Sequence, residues 1–250
     1  MAHSTAAKRW AALTPLAGLR VKLFADSADP ARMRELAANP LIQGFTTNPT
    51  LMRKAGVPEY EPFAREILSE IGDRPISFEV CADEFAGMER QAHRIAEWGA
   101  NVYVKIPITN TGGASSGELV RRLARHGMKL NVTGLLTLEQ VCAAREALAE
   151  GPASFISVFA GRIADTGRDP MPVMKAAVDL LRPHPQIELI WASPRELLNL
   201  FQADAVGCPI ITATADILQK LPLVGKDLTE YSLETVQMFF DDARASGYEL

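Results

Sequence analysis

The sequence predicts a single (β/α)8 TIM barrel with an additional C-terminal helix. Short strand-like runs alternate with longer segments of helical apolar period along the chain. These runs recur at intervals of roughly 20 to 30 residues, the separation that helix-connected parallel strands need. Polar residues also collect at the carboxyl ends of the runs, where barrels build their binding sites.

Length and composition agree with this prediction. A chain of 250 residues can form one such barrel, and 48% apolar with 22% charged residues is ordinary for a globular protein. No uninterrupted apolar run is long enough to span a bilayer, so we expect no membrane segment. The 26 basic and 30 acidic residues are interspersed, which argues against nucleic-acid binding.

Eight strand-like runs can be counted along the chain. Three helix starts are marked by sequence: Pro30 behind Asp29, the capping box 137–140, and the pair Asp169 and Pro170. The alternative is an open doubly wound sheet, but no glycine-rich phosphate fingerprint follows the first strand, and eight regular units favour closure. The predicted strands are 21–26, 44–48, 76–81, 102–107, 129–133, 155–159, 189–193 and 210–214.

The predicted domain organisation is simple. Residues 1–20 form a partly flexible N-terminal extension, and 21–250 form the barrel domain, since no Gly-, Ser- or Pro-rich interdomain linker occurs. The last segment, 228–250, is predicted to be a docking helix with apolar anchors, although a helix packed on its own barrel has the same pattern. The anchors are Met238, Phe239 and Phe240.

Cysteine and histidine usage limits the chemistry. The three cysteines are odd in number and widely spaced, which argues against a disulfide framework or a zinc cluster and favours a reducing cytoplasm. The four histidines fall in the N-terminal tail or in helix and loop positions. We therefore expect no metal site.

Strand parity predicts which polar residues share one site. Side chains two residues apart lie on the same face of a strand, and in a closed barrel one face points inward. The outward set is apolar: Ala25, Phe45, Val80, Val104, Val132, Val158 and Ala192. The inward set joins acids, carboxamides, hydroxyls and one amine: Asp26, Thr46, Asn48, Ser77, Glu79, Lys105, Asn131, Thr133, Ser157 and Ser193.

Lys105 is the most informative member of this set. It lies within an apolar strand, 102–107, with no alternating charged partner on that strand. Burial there favours the neutral amine, which is the form that attacks a carbonyl to give a Schiff base. The alternatives are a snorkelling lysine or a buried ion pair with Glu79 or Asp26.

Six segments resemble the transaldolase family, which also includes the fructose 6-phosphate aldolases. The similarity runs from residue 21 onward and preserves the family's order of motifs. The matching segments are the Asp26 strand end, 44–51 (GFTTNPTL), 102–107 (VYVKIP), 130–133 (LNVT), 156–163 (ISVFAGRI) and 192–195 (ASPR).

The resemblance implies a role for each residue. Lys105 would form the Schiff base, Asp26 would shuttle a proton during carbon–carbon cleavage, and Glu79 with Thr133 would hold a water for proton transfer. It further implies a homo-oligomer, sugar phosphate substrates, and no metal or organic cofactor. Substrate contacts would come from Thr46, Asn48, Asn131, Ser157 and Phe159, with the phosphate bound by Arg162, Ser193 and Arg195.

Two positions separate the activities within the family. At both positions this chain resembles the transaldolases, which have glutamate at the position of Glu79 and phenylalanine at that of Phe159. The aldolases that release free dihydroxyacetone have glutamine and tyrosine there. Both positions therefore indicate a transaldolase. An aldolase releasing dihydroxyacetone and a non-catalytic phosphosugar-binding barrel remain the alternatives.

Overall fold

In a computed structural model of the chain, which describes Leu16 and residues 18–248, eight parallel strands close into a barrel in sequence order. The predicted (β/α)8 fold is therefore confirmed. Each strand pairs with its sequence neighbours, and β1 closes the barrel by pairing with β8. The strands are β1 (Lys22–Asp26), β2 (Ile42–Thr46), β3 (Ile76–Glu79), β4 (Val102–Pro107), β5 (Leu130–Leu135), β6 (Ser154–Val158), β7 (Ile187–Trp191) and β8 (Ile210–Thr214).

Helices connect the strands and follow the last one. Two of them precede β3 and two precede β7, so some connections carry a second helix. A 3-10 turn, Leu221–Leu223, precedes the final helix. The helices are α1 (Pro30–Ala37), α2 (Pro49–Lys54), α3 (Tyr60–Ile71), α4 (Phe85–Ala96), α5 (Gly117–Arg125), α6 (Leu138–Leu148), α7 (Ala160–Asp165), α8 (Met171–Leu181), α9 (Leu198–Ala205), α10 (Ala215–Leu218) and α11 (Leu228–Ser246).

The predicted helix starts agree with the structure. The Asp29 side chain caps α1, whose first residue is Pro30, and Thr137 with Gln140 forms a complete capping box on α6. The helix predicted at Asp169 begins at Met171, whose backbone N–H donates to the Asp169 carboxylate. Side-chain acceptors satisfy the free N–H groups of the first turn, so these starts can be read from sequence.

Two predicted strands are displaced toward the N-terminus by about half their length. β2 ends at Thr46 rather than Asn48, because the Asn48 side chain accepts a hydrogen bond from the Leu51 N–H and caps α2. β7 ends at Trp191, and Ser193 beyond it has a φ of 60°, in the left-handed region that ends an extended strand.

Apolar side chains fill the barrel interior beneath the polar strand ends. Phe24, Phe155, Ile190, Ala192 and Ile210 form one buried cluster. The prediction that Ala192 faces the helices is therefore wrong. Ala192 shares the inward parity of Ile190, so the parity predicted for the seventh strand is off by one residue.

Gly44 makes room for this interior packing. A Cβ at position 44 would lie 2.4 Å from the ring of Phe24, its register partner on β1. The absence of a side chain therefore lets a phenylalanine ring occupy the barrel axis.

Contacts divide the chain into two compact units, with residues 19–219 in the first and the segment from 220 onward in the second. In the second unit, α11 has no buried residue, and Leu233, Phe239 and Phe240 are more than half exposed. Most of the predicted N-terminal extension lies outside the described residues. Within the described part of the chain, no helix has the length and apolar character needed to cross a membrane.

Candidate active site

A cavity of about 590 Å³ opens at the carboxyl ends of the strands. This is the end at which barrel proteins place their sites. Its wall contains eleven of the twelve predicted site residues, which come from the ends of the strands and from the segments that follow them. These are Asp26, Thr46, Asn48, Glu79, Lys105, Thr133, Ser157, Phe159, Arg162, Ser193 and Arg195.

Lys105 lies in this wall with only 6% of its side chain exposed. Its Nζ lies 3.1 Å from Oε2 of Glu79 and donates a 3.1 Å hydrogen bond to the backbone carbonyl of Thr47. Glu79 and Lys105 are register partners on β3 and β4. The buried ion pair with Glu79, one of the alternatives that the sequence left open, is therefore present, and its carboxylate comes from the neighbouring strand.

Asp26 lies on the same wall at the end of β1. Its carboxylate accepts a 2.7 Å hydrogen bond from Oγ1 of Thr46, which is 2.6 Å from Oγ1 of Thr212. Burial raises the pKa of Asp26, and the positive charge of Lys105 and the Thr46 hydrogen bond only partly offset that rise. Asp26 thus keeps its proton to a higher pH than an exposed aspartate does.

Thr133 presents an unused hydroxyl to the cavity. The residue is 2% exposed, and its Oγ1 has no hydrogen-bond partner among the described residues. A buried hydroxyl without a partner is costly, so its presence at a cavity wall indicates a site for a water or a substrate oxygen.

Asn131 is the one predicted site residue that does not line the cavity. It is fully buried, its amide nitrogen donates to Oγ of Ser77 at 2.9 Å, and its amide oxygen accepts from Oγ of Ser157 at 2.8 Å. Its carboxamide therefore links β3, β5 and β6 behind the wall and orients the Ser157 hydroxyl.

Two arginines, Arg162 and Arg195, also line the cavity. The guanidinium of Arg195 forms a two-point ion pair with Asp165, which keeps the pKa of that carboxyl below its usual range. Arg162 lies over the ring of Phe159 at 5.2 Å and has no ion-pair partner among the described residues. An anion entering here would meet one unpaired and one pre-oriented guanidinium.

Gly161 brings this end of the cavity together. A Cβ at position 161 would lie 1.6 Å from the carbonyl oxygen of Ser193. The glycine therefore lets the 193–195 segment approach α7 closely enough for Ser193, Arg195 and Arg162 to share one wall.

Several lining residues were missed by the sequence analysis. Thr212 and Thr214 have the inward parity of β8, a strand from which no site residue was taken, so the same alternation rule identifies them. Lys54 and Asp216 come from short helices after β2 and β8, where strand parity gives no information. Over Leu16 and residues 18–248, no three metal-ligating side chains are clustered.

The fold and the cavity define a class of protein: a (β/α)8 barrel with a buried lysine, two carboxylates and two arginines in the wall of a cavity at the carboxyl ends of the strands. The family description "Transaldolase/Fructose-6-phosphate aldolase" matches residues 23–250. The chain belongs to this family, as its motifs predicted.

Relatives in other organisms agree with this assignment. A protein named "Probable transaldolase" from Methanococcus maripaludis strain S2 is 34% identical over 84% of this chain and 95% of its own length. One of that name from Thermoanaerobacter sp. strain X514 is 32% identical over 92% of this chain and all of its own length. "Probable transaldolase 2" of Listeria monocytogenes is 35% identical over 83% of this chain and 93% of its own.

Solved structures show likeness in fold. The structure titled "Native KDPGal structure" has a TM-score of 0.52 and 18% identity, over 79% of this chain and 84% of that chain. A 2,3-dimethylmalate lyase of the PEP mutase/isocitrate lyase superfamily has a TM-score of 0.54 and 11% identity, over 98% and 89%. At these identities the likeness concerns the barrel and not the chemistry.

Proposed function

We propose that this protein is a transaldolase that moves a dihydroxyacetone unit between sugar phosphates through a Schiff base on Lys105. The observation that carries the proposal is a buried amine in the wall of the cavity, ion-paired with Glu79 and on the same wall as Asp26 and Thr133. Fructose 6-phosphate or sedoheptulose 7-phosphate would be the donor and an aldose phosphate the acceptor.

The first step joins Lys105 to the donor ketose. Glu79 takes a proton from the ammonium of Lys105, and the neutral amine attacks the C2 carbonyl to give a carbinolamine. Returning a proton to the C2 hydroxyl expels water and leaves an iminium. Thr133, whose hydroxyl has no partner among the described residues, and Glu79 would hold the water through which these protons move.

The second step breaks the C3–C4 bond. Asp26 removes the proton of the C4 hydroxyl, the C3–C4 electron pair moves toward the iminium, and an aldose phosphate leaves. The three-carbon unit remains on Lys105 as an enamine. In the reverse direction this enamine attacks the aldehyde of the acceptor, Asp26 returns its proton to the new hydroxyl, and hydrolysis frees the product.

The phosphate of the substrate would lie at the arginine end of the cavity. Arg162 and Arg195 can each give charge-assisted, two-point contacts to a dianion, and Ser193 adds a hydroxyl between them. Asn48, Thr46 and Ser157 also line the cavity and would bind the hydroxyls of the sugar chain.

Glu79 and Phe159 support transfer over release of free dihydroxyacetone. A phenol at position 159 could protonate the enamine, whereas a phenyl ring cannot, so the intermediate survives until an acceptor arrives. The competing activity is an aldolase that releases dihydroxyacetone.

The test is incubation with fructose 6-phosphate, with and without erythrose 4-phosphate. A transaldolase releases glyceraldehyde 3-phosphate without acceptor only to the level of one per enzyme site, and continuously with acceptor. Equal accumulation in both arms would show that the protein is an aldolase rather than a transferase. No release in either arm would favour a barrel that only binds phosphosugars.

The setting of the reaction is part of the same proposal. We propose that the reaction belongs to carbohydrate metabolism, in the pentose phosphate pathway. We propose a cytoplasmic location because Cys81, Cys142 and Cys208 are all free thiols. The chemistry needs no metal or organic cofactor. We also propose a homo-oligomer, because the apolar residues of α11 are exposed in the single chain.

A further inference from the structure

Tyr60 lies outside the cavity, yet its hydroxyl contacts the residue that holds Lys105. Tyr60 is the first residue of α3, and its hydroxyl accepts a 2.7 Å hydrogen bond from the backbone N–H of Glu79. The same hydroxyl donates a 3.0 Å hydrogen bond to the backbone carbonyl of Glu79. The Tyr60 hydroxyl thus forms hydrogen bonds with both the backbone N–H and the backbone C=O of Glu79.

The barrel itself leaves these two groups without partners. In a parallel strand the N–H and C=O of one residue point to the same neighbour, and on β3 those of Ser77 and Glu79 point toward β2. The Ser77 carbonyl accepts from the Thr47 N–H, but β2 has then ended, because Asn48 caps α2. Glu79 therefore faces no strand on this side, and the Tyr60 hydroxyl takes the place of the missing strand.

The tyrosine is held firmly in this position. Its ring packs edge-on against Phe78 and Trp98, with centroid separations of 6.0 and 5.2 Å. Burial raises the pKa of the hydroxyl, so it remains protonated and keeps its donor across the range in which proteins are stable. Sγ of Cys81 also contacts the Glu79 carbonyl, but at 3.9 Å it is a long and weak donor.

We infer that Tyr60 is a positioning residue for the Lys105 chemistry, since its hydroxyl fixes the backbone of Glu79 and thereby the carboxylate that exchanges protons with the lysine. This inference rests on the proposed function. Glu79 is the last residue of β3 and lines a second cavity, of about 340 Å³, on the side of Tyr60 and Trp98. Glu79 therefore lines both the active-site cavity and this second cavity. Without the Tyr60 hydroxyl, its backbone would have no hydrogen bond on the side of β2.

The first test is the variant Tyr60→Phe, which keeps the ring that packs on Phe78 and Trp98. The matched control is Tyr103→Phe, because Tyr103 also packs in the barrel, stacked on Phe155 at 4.0 Å, but its hydroxyl forms no hydrogen bond with the described residues. The kcat of each variant is divided by the number of sites that borohydride traps with fructose 6-phosphate. Partly folded preparations then remain comparable.

Tyr60→Phe should lower kcat per trapped site about tenfold or more and leave KM for fructose 6-phosphate within about twofold, because the phosphate end is untouched. Tyr103→Phe should match the wild type. In a double-mutant cycle, Tyr60→Phe should cause no further loss of kcat in a Glu79→Gln background, since its effect passes through the Glu79 carboxylate.

A purely structural role predicts the opposite pattern. In that case Tyr60→Phe lowers the unfolding midpoint but retains the wild-type kcat per trapped site, or lowers kcat equally in the Glu79→Gln background. Either result overturns the inference while leaving the Schiff base intact. If the wild-type protein itself traps no adduct, the proposed function fails and the inference fails with it.

Discussion

Nζ of Lys105 lies 3.1 Å from Oε2 of Glu79, and the two residues are register partners on adjacent strands. Their side chains are 6% and 18% exposed, so the pair is largely removed from water. A buried amine of this kind is costly unless a carboxylate accompanies it. Here the carboxylate is that of Glu79, which can also take the proton of the lysine.

Replacing Asp26 with asparagine should abolish most of the activity while stabilising the fold at neutral pH. Loss of a proton-transfer group lowers kcat by about 10²- to 10⁴-fold. Burial raises the pKa of Asp26 above its unfolded value of 3.8, so the charged carboxylate destabilises the native state. This penalty is absent below the unfolded pKa and grows as pH rises through the folded pKa.

The measurement is urea unfolding of wild type and Asp26→Asn at pH 4 and pH 7. The variant should gain stability relative to wild type at pH 7 and little at pH 4. A loss of stability at pH 7 for Asp26→Asn would contradict the assigned pKa direction.

Thr133→Val should separate function from stability. Valine keeps the shape of threonine and removes a buried hydroxyl without a partner, so the free energy of unfolding should be unchanged or rise by about 1 kcal/mol. The kcat should fall at least about tenfold, because a water in the proton path loses its support. Thr47→Val removes a second buried threonine hydroxyl that has no partner among the described residues, and serves as the stability reference. A Thr133→Val variant with normal kcat would remove Thr133 from the mechanism.

Gly161→Ala should damage the phosphate end of the cavity. Its Cβ would lie 1.6 Å from the Ser193 carbonyl oxygen, so the 193–195 segment must move. Overpacking of this kind costs about 1–3 kcal/mol, and KM for fructose 6-phosphate should rise at least about tenfold. Urea unfolding and steady-state kinetics measure both. Gly18→Ala, where no atom of the described residues apart from its chain neighbours lies within 4 Å of the added Cβ, should leave both near wild type.

Arg162→Leu should reduce discrimination for the phosphate group. Because Arg162 has no ion-pair partner among the described residues, its loss should lower kcat/KM for fructose 6-phosphate about 10- to 100-fold. The kcat/KM for unphosphorylated fructose should change little. Arg168→Leu removes an exposed arginine outside the cavity wall as the matched control. An equal loss for both sugars would place the phosphate elsewhere.

The fold and the inward residues were predictable where the chain obeys a local rule. Alternation of strand and helix gave the barrel, and parity placed Asp26, Glu79, Lys105 and Thr133 on one wall because those strands are extended to their ends. Parity failed at Ala192 because β7 ends at Trp191 and the backbone turns at Ser193.

Other features depend on contacts between segments distant in sequence. The Lys105–Glu79 pair follows from the register of β3 on β4, and the Arg195–Asp165 pair from the approach of the 193–195 segment to α7. The hydrogen bonds of Tyr60 to Glu79 require α3 to lie where β2 ends. Local sequence patterns do not encode such distances. The sequence therefore offered the Lys105–Glu79 pair as one alternative among several, and the other two relationships came from the structure.

The most direct test of the central claim is reductive trapping of the Schiff base. The protein is incubated with fructose 6-phosphate and sodium borohydride, and the adduct is located by peptide mass mapping in wild type, Lys105→Ala and Lys54→Ala. Lys54 is the control, since it also lines the cavity but comes from α2. We predict a reduced dihydroxyacetone adduct on Lys105 in wild type and Lys54→Ala and none in Lys105→Ala. No adduct in wild type, or an adduct that persists in Lys105→Ala, would contradict the account.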